Sequence, residues 1–121
     1  KNFSIGLLPG GRFQLAPLYD IMSAQPAADT SQIRRSQYKL AMSAGDNRHY
    51  VMGRVQPRHF EQDAAAAGLA QGTIQAVFAE LAAAAPEAIE VARSTMPADC
   101  PAGIVDSIIA GFNARLRTLP L

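Results

Sequence analysis

The sequence predicts a mainly α-helical chain that opens on a β-hairpin. Three observations predict it. Apolar residues alternate with polar ones or glycine on either side of Pro9-Gly10-Gly11, a pattern with the two-residue period of paired strands. From Pro57 onward apolar residues recur at helical spacing, in stripes separated by Gly or Pro. Between these regions lies a polar stretch rich in turn-forming residues.

Phe3, Ile5 and Leu7 alternate with Asn2, Ser4 and Gly6, as in a half-buried strand. Gly10 and Gly11 supply the positive φ that a tight turn needs. Phe13 and Leu15 continue the alternation on a second strand, and Pro17 ends the ladder because it has no N–H to donate. A hairpin folded about Gly10 opposes residues whose numbers sum to about twenty, with facing Cβ atoms ~5 Å apart. Asn2 then lies across from Leu18, with Tyr19 and Asp20 beside it.

The run at 21–24 suits a short turn of helix, and 25–37 reads as an irregular polar loop. Lys39-Leu40-Ala41-Met42 is a short apolar patch, Ala44-Gly45-Asp46-Asn47 a turn, and Tyr50-Val51-Met52 extended. Pro57 suits a first helical position, with Phe60, Ala64 and Ala67 on one face and Gly68 as the stop. Thr73 is placed to cap a second helix carrying Ile74, Val77, Phe78 and Leu81. Pro86 should break or restart it. Ile89, Ala92, Arg93 and Met96 form a third stripe. After a linker bracketed by Pro97 and Pro101, Val105, Ile108, Ile109, Phe112 and Leu116 form the last. The expected organisation is a single unit over 1–121, with a hairpin and site segment (1–23), a loop-rich segment (24–56) and a helical bundle (57–121).

Composition excludes several classes. The 121 residues are 49% apolar, too rich for a disordered chain. Lys and Arg number 11 against 10 Asp and Glu, so charge makes no general case for nucleic acid or an anionic membrane. Cys100 is the single cysteine, which rules out an internal disulfide and suits a cytoplasmic setting. No apolar run approaches membrane-spanning length. Residue 1 is Lys and strand-like alternation begins almost at once. Two origins fit: a piece of a larger protein, or a small protein trimmed at its start.

Asn2 and Asp20 are the residues with the clearest chemistry. An amide oxygen and a carboxylate are hard donors of the kind magnesium prefers, its other ligands being waters and substrate phosphates. Phosphoryl transfer uses such an ion to neutralise charge on the moving group. Asp20 has a second reading, as the cap of the turn at 21–23. Residue types and spacing leave both open.

Lys1-Asn2-Phe3-Ser4-Ile5, Leu15-Ala16-Pro17-Leu18-Tyr19-Asp20-Ile21-Met22-Ser23, Lys39-Leu40-Ala41-Met42 and Pro57-Arg58-His59-Phe60 follow one another along the chain. In this order they resemble the C-terminal part of HipA-type proteins, bacterial serine/threonine kinases that act as toxins of toxin–antitoxin pairs. The resemblance covers essentially the whole chain. It implies part of the C-terminal lobe of a protein-kinase-like fold, with ATP and Mg2+ as the parent's cofactors. Asn2 resembles the Asn that closes the catalytic loop and binds magnesium or phosphate, and Lys1 belongs to the same nucleotide-contacting loop. Asp20 resembles the metal-binding Asp, with Tyr19-Asp20-Ile21 standing where most protein kinases have Asp-Phe-Gly. Tyr19 would line the nucleotide pocket. The catalytic base, the phosphate-covering loop and the nucleotide-anchoring Lys belong to sequence preceding Lys1, so these 121 residues alone should be inactive and hold neither cofactor tightly.

The partners implied for the parent are an antitoxin of the HipB type and a protein substrate. Some relatives touch operator DNA through basic residues in the helix after Pro-Arg-His-Phe. Here Glu61-Gln62-Asp63-Ala64-Ala65-Ala66-Ala67-Gly68 carries no Lys or Arg, so operator DNA is at most an indirect partner. Exposed apolar faces would favour self-association. Arg34, Arg35, Arg54 and Arg58 read as solvated surface charge, His59 as a packing or capping residue, and His49 as exposed. Two histidines and one cysteine make no zinc site. Cys100 reads as a half-buried, unreactive thiol, and Lys39 matches the family motif without a derivable role. The alternative to a kinase is a non-enzymatic helical module that binds a protein partner.

Overall fold

A computed structural model describes residues 3–120. Lys1 and Asn2, two of the expected site residues, lie outside the described residues. The chain forms β1 (Ile5–Leu8), β2 (Arg12–Leu15), α1 (Gln25–Asp29), β3 (Lys39–Ala44), β4 (His49–Val51), a 3-10 turn at Met52–Arg54, α2 (Pro57–Ala66), α3 (Gln71–Thr95) and α4 (Ala102–Leu116). It is mainly α with an N-terminal hairpin, as the periodicities predict.

The hairpin has the expected register. Ile5 pairs Leu15, Gly6 pairs Gln14, Leu7 pairs Phe13 and Leu8 pairs Arg12, so every pair sums to twenty. Gly10 and Gly11 turn the chain at φ 78° and 72°. The Ala16 N–H donates to the Ser4 carbonyl at 2.8 Å, extending the same register one step beyond the ladder. Facing pairs put Ile5, Leu7, Phe13 and Leu15 on one face of the ribbon. That face is uncovered, with Leu7 87% and Phe13 71% exposed. A lone two-stranded ribbon is marginal in water, so this face needs a covering surface.

Two local expectations fail after the hairpin. Residues 21–24 form no helical turn; the helix begins at Gln25, with Pro26 in its first turn, and the Ser23 hydroxyl accepts the Gln25 N–H at 3.2 Å. The stretch 25–37 is also more ordered than a loop. Asp29 accepts from Gln25 Nε2 at 2.8 Å and from the Ser107 hydroxyl at 2.6 Å, which ties α1 to α4. That second bond spans 78 residues and leaves no local trace.

Two helix boundaries also differ. Ala70, not Thr73, precedes α3, and no side chain caps it. Pro86 does not break α3, which runs unbroken over 25 residues. An interior proline costs about 3 kcal/mol, from a lost hydrogen bond and ring crowding. Alanines at 82–85 minimise the crowding, while Phe78, about two turns earlier, and Ala85, the residue just before Pro86, are both 4% exposed and anchor the same helix. Burial of a ring such as that of Phe78 contributes roughly 2–3 kcal/mol.

The buried set among the described residues is Ala44, Gly45, Val55, Ala64, Phe78, Ala85 and His59. It lies where the end of β3 and helices α2 and α3 meet. On α2 the buried face is His59 and Ala64; Phe60 is 40% exposed, against the expected stripe. Beyond Ala67, the Leu69 N–H reaches the Ala64 carbonyl and the Gly68 N–H the Ala65 carbonyl, both at 2.9 Å. This Schellman pattern makes Gly68 the stop the sequence predicts. Arg115 closes the core from α4, donating to the Val55 carbonyl at 2.6 Å. Among the described residues, no helix is long and apolar enough to cross a membrane.

Candidate functional site

The segment between β2 and α1 carries Tyr19 and Asp20. The hairpin places it: the Tyr19 and Ser4 hydroxyls are 3.0 Å apart, so the chain after Pro17 returns along β1 toward its N-terminal end. Asp20 sits at φ 52°, one of three non-glycine residues with positive φ among those described, and is exposed. Asp and Asn tolerate this region better than other side chains, and such backbones cluster at functional sites. With no helical turn at 21–23, Asp20 has no helix start there to cap. An exposed carboxylate in this position suits a hard cation that keeps several waters, as magnesium does.

Arg34, Arg35, Lys39, Arg54 and Arg58 are exposed, and Cys100 is a half-buried free thiol. Among the described residues no three His, Cys, Asp or Glu side chains cluster as a metal cage.

A comparison with protein families matches residues 1–89 to the HipA-like C-terminal domain, 89 of the 121 residues. The chain belongs to this family. The HipA-like match takes in both hairpins, α1, α2 and most of α3; α4 and the last turns of α3 lie beyond it. Even so, Ser107 and Arg115 bind α4 to Asp29 and Val55 within the matched region.

One polar cluster of this HipA-like chain was legible in the sequence only in part. His49 and His59 stack with ring centroids 3.9 Å apart and planes 5° from parallel. His59 Nδ1 accepts the Gln56 N–H at 3.2 Å, at the position where a capping-box side chain reaches back. The Asp63 carboxylate accepts the Gly45 N–H at 3.1 Å through both oxygens, and Gln62 Oε1 accepts the Asp46 N–H at 3.2 Å. The turn between β3 and β4 is thereby tied to α2. The sequence reads His59 as a packing or capping residue and it is both, whereas His49, expected to be exposed, is half-buried by a stack that is a tertiary fact.

Burial holds the His59 pKa below the ordinary histidine value, helped by His49 and Arg58 and opposed by Asp63. The unfolded chain therefore takes up this proton first as pH falls. Stability from this group is full above about pH 6.5 and declines below it, until the folded imidazole also titrates. Protonation puts a hydrogen on Nδ1, where the Gln56 N–H now donates. Between about pH 7.5 and 5 the melting temperature should fall further for the wild type than for His59→Gln, which retains an acceptor at the cap. Equal slopes in calorimetric scans would remove His59 as the cause.

Proposed function

We propose that the chain is part of the C-terminal lobe of a HipA-like serine/threonine kinase, the toxin of a toxin–antitoxin pair. The parent transfers the γ-phosphoryl group of ATP to a protein hydroxyl. Asn2 and Asp20 hold Mg2+ and the phosphates, Lys1 contacts the nucleotide and Tyr19 lines its pocket. Bound there, the ion would neutralise charge on the transferring group. The segment 1–23 carries this half of the site, and 24–56 and 57–121 form the scaffold beneath it. The base and the nucleotide cradle come from sequence preceding Lys1, as the family order of motifs implies. The parent acts in the cytoplasm and is restrained by an antitoxin of the HipB type.

The hairpin register carries the reading. It holds from Leu8–Arg12 to the Ser4–Ala16 bond, and the Ser4–Tyr19 contact keeps the returning chain close. Asn2 lies outside the described residues, and its place beside Tyr19 and Asp20 is the expectation of the sequence. Family membership supports the same assignment. The uncovered face at Leu7 and Phe13 is where the remainder of a kinase lobe would pack.

Incubation of the parent protein with γ-labelled ATP, magnesium and a cell extract tests the proposal. Label should appear on serine or threonine of a protein acceptor and vanish with chelator. The 121 residues alone should transfer none and bind magnesium–ATP weakly in calorimetry. A parent that labels nothing sinks the kinase assignment; tight nucleotide binding by the 121 residues alone would show that the cradle lies within them.

A further inference from the structure

Helix α3 carries a second apolar stripe that faces away from the core. Val77, Leu81, Ala84, Ala88 and Val91 alternate in spacings of four and three, the a/d pattern of a heptad seam, and all five are exposed. Leu81 and Val91 are each 53% exposed. At about 1.5 Å per residue the seam is roughly 21 Å long, near four turns of helix. One flank is closed by the protein itself, since Phe78 and Ala85 are buried in the core. The other flank is acidic, with exposed Glu80 and Glu87 one heptad apart. Pro86 lies off the seam.

We propose that this seam docks an amphipathic helix of another protein, with its own apolar heptad stripe and Lys or Arg along the edge that meets Glu80 and Glu87. Flanking charges choose the partner of a helical seam. They disfavour a second copy of this chain: an antiparallel copy sets Glu80 and Glu87 against their own counterparts, and a parallel copy needs the flank that Phe78 and Ala85 have already buried. Ala84 and Ala88 in the middle leave room for bulky side chains opposite and for close approach of the helices.

The test uses two labelled synthetic helices with the same leucine seam, one flanked by Lys and one by Glu, titrated against the full 121-residue chain by fluorescence anisotropy. The Lys-flanked peptide should bind and the Glu-flanked one should not. Leu81→Glu should weaken binding by at least about tenfold while leaving the circular dichroism unchanged, because Leu81 is exposed and outside the buried set. Joint reversal, Glu80→Lys with Glu87→Lys, should invert the preference between peptides. The proposal is overturned if neither peptide binds, if both bind alike, or if Leu81→Glu leaves the affinity unchanged. It is overturned in favour of a second copy if sedimentation shows a dimer of the chain that Leu81→Glu dissolves.

Discussion

Asp20→Asn in the proposed parent kinase is expected to lower phosphoryl transfer by about a thousandfold, equivalent to ~4 kcal/mol of lost stabilisation. The asparagine variant is more informative than alanine. Asp20 stands at φ 52°, a region that Asn adopts nearly as readily as Asp, so Asp20→Asn keeps the backbone and removes only the charge. Asp20→Ala changes both, adding about 1 kcal/mol of left-handed strain. If Asp20 serves the backbone, Ala loses activity and Asn does not. If it holds the metal, both lose activity together. The exposed position predicts that Asp20→Asn melts within about 2 °C of the wild type, a check on the fold that no activity assay gives. Wild-type turnover in Asp20→Asn would end the metal assignment.

The parts of this chain that were legible in its sequence are those where one local constraint sets the geometry. Gly10 fixes the turn, the turn fixes the register, and the two-residue period then decides which side chains share a face; every observed pair follows. The stop at Gly68 and the start at Pro57 are equally local. The misses share a different cause. Pro86 reads as a breaker because its cost is local, whereas what offsets it is burial at Phe78 and Ala85 against other elements. Helix α1 reads as loop because the Ser107–Asp29 bond that steadies it comes from the far end of the chain. In the site, the Tyr19 hydroxyl meets that of Ser4, a contact off the hairpin register that the two-residue period does not name. The stacked histidines join β4 to α2, and neither residue carries a motif that names the other.

Gly45→Ala should destabilise the fold by about 3 kcal/mol or more, because Gly45 is buried between the β3–β4 turn and α2. Two independent effects add. Gly45 sits at φ 74°, where an L side chain strains the backbone by roughly 1–2 kcal/mol. A Cβ there would also stand 2.5 Å from Gln62 Oε1, 2.8 Å from His59 Cβ and 3.1 Å from His59 Cα. The Gln62 amide can swing aside, at the expense of its bond from the Asp46 N–H. His59 cannot: it is 2% exposed, stacked on His49 and held to the Gln56 N–H, so relief requires α2 to move off the turn. That motion lengthens the paired bonds from the Gly45 N–H to Asp63. Against a typical total stability of about 5–15 kcal/mol, such a loss is a large fraction. Gly72→Ala is the control. It lies in the first turn of α3 with open space around its Cβ, and alanine's helix propensity should leave stability unchanged or raise it by up to about 1 kcal/mol. Urea titrations of the two variants separate the effects. If Gly45→Ala unfolds at the wild-type midpoint, then the junction between the β3–β4 turn and α2 is looser than its contacts imply, and the histidine stack does not hold the two together.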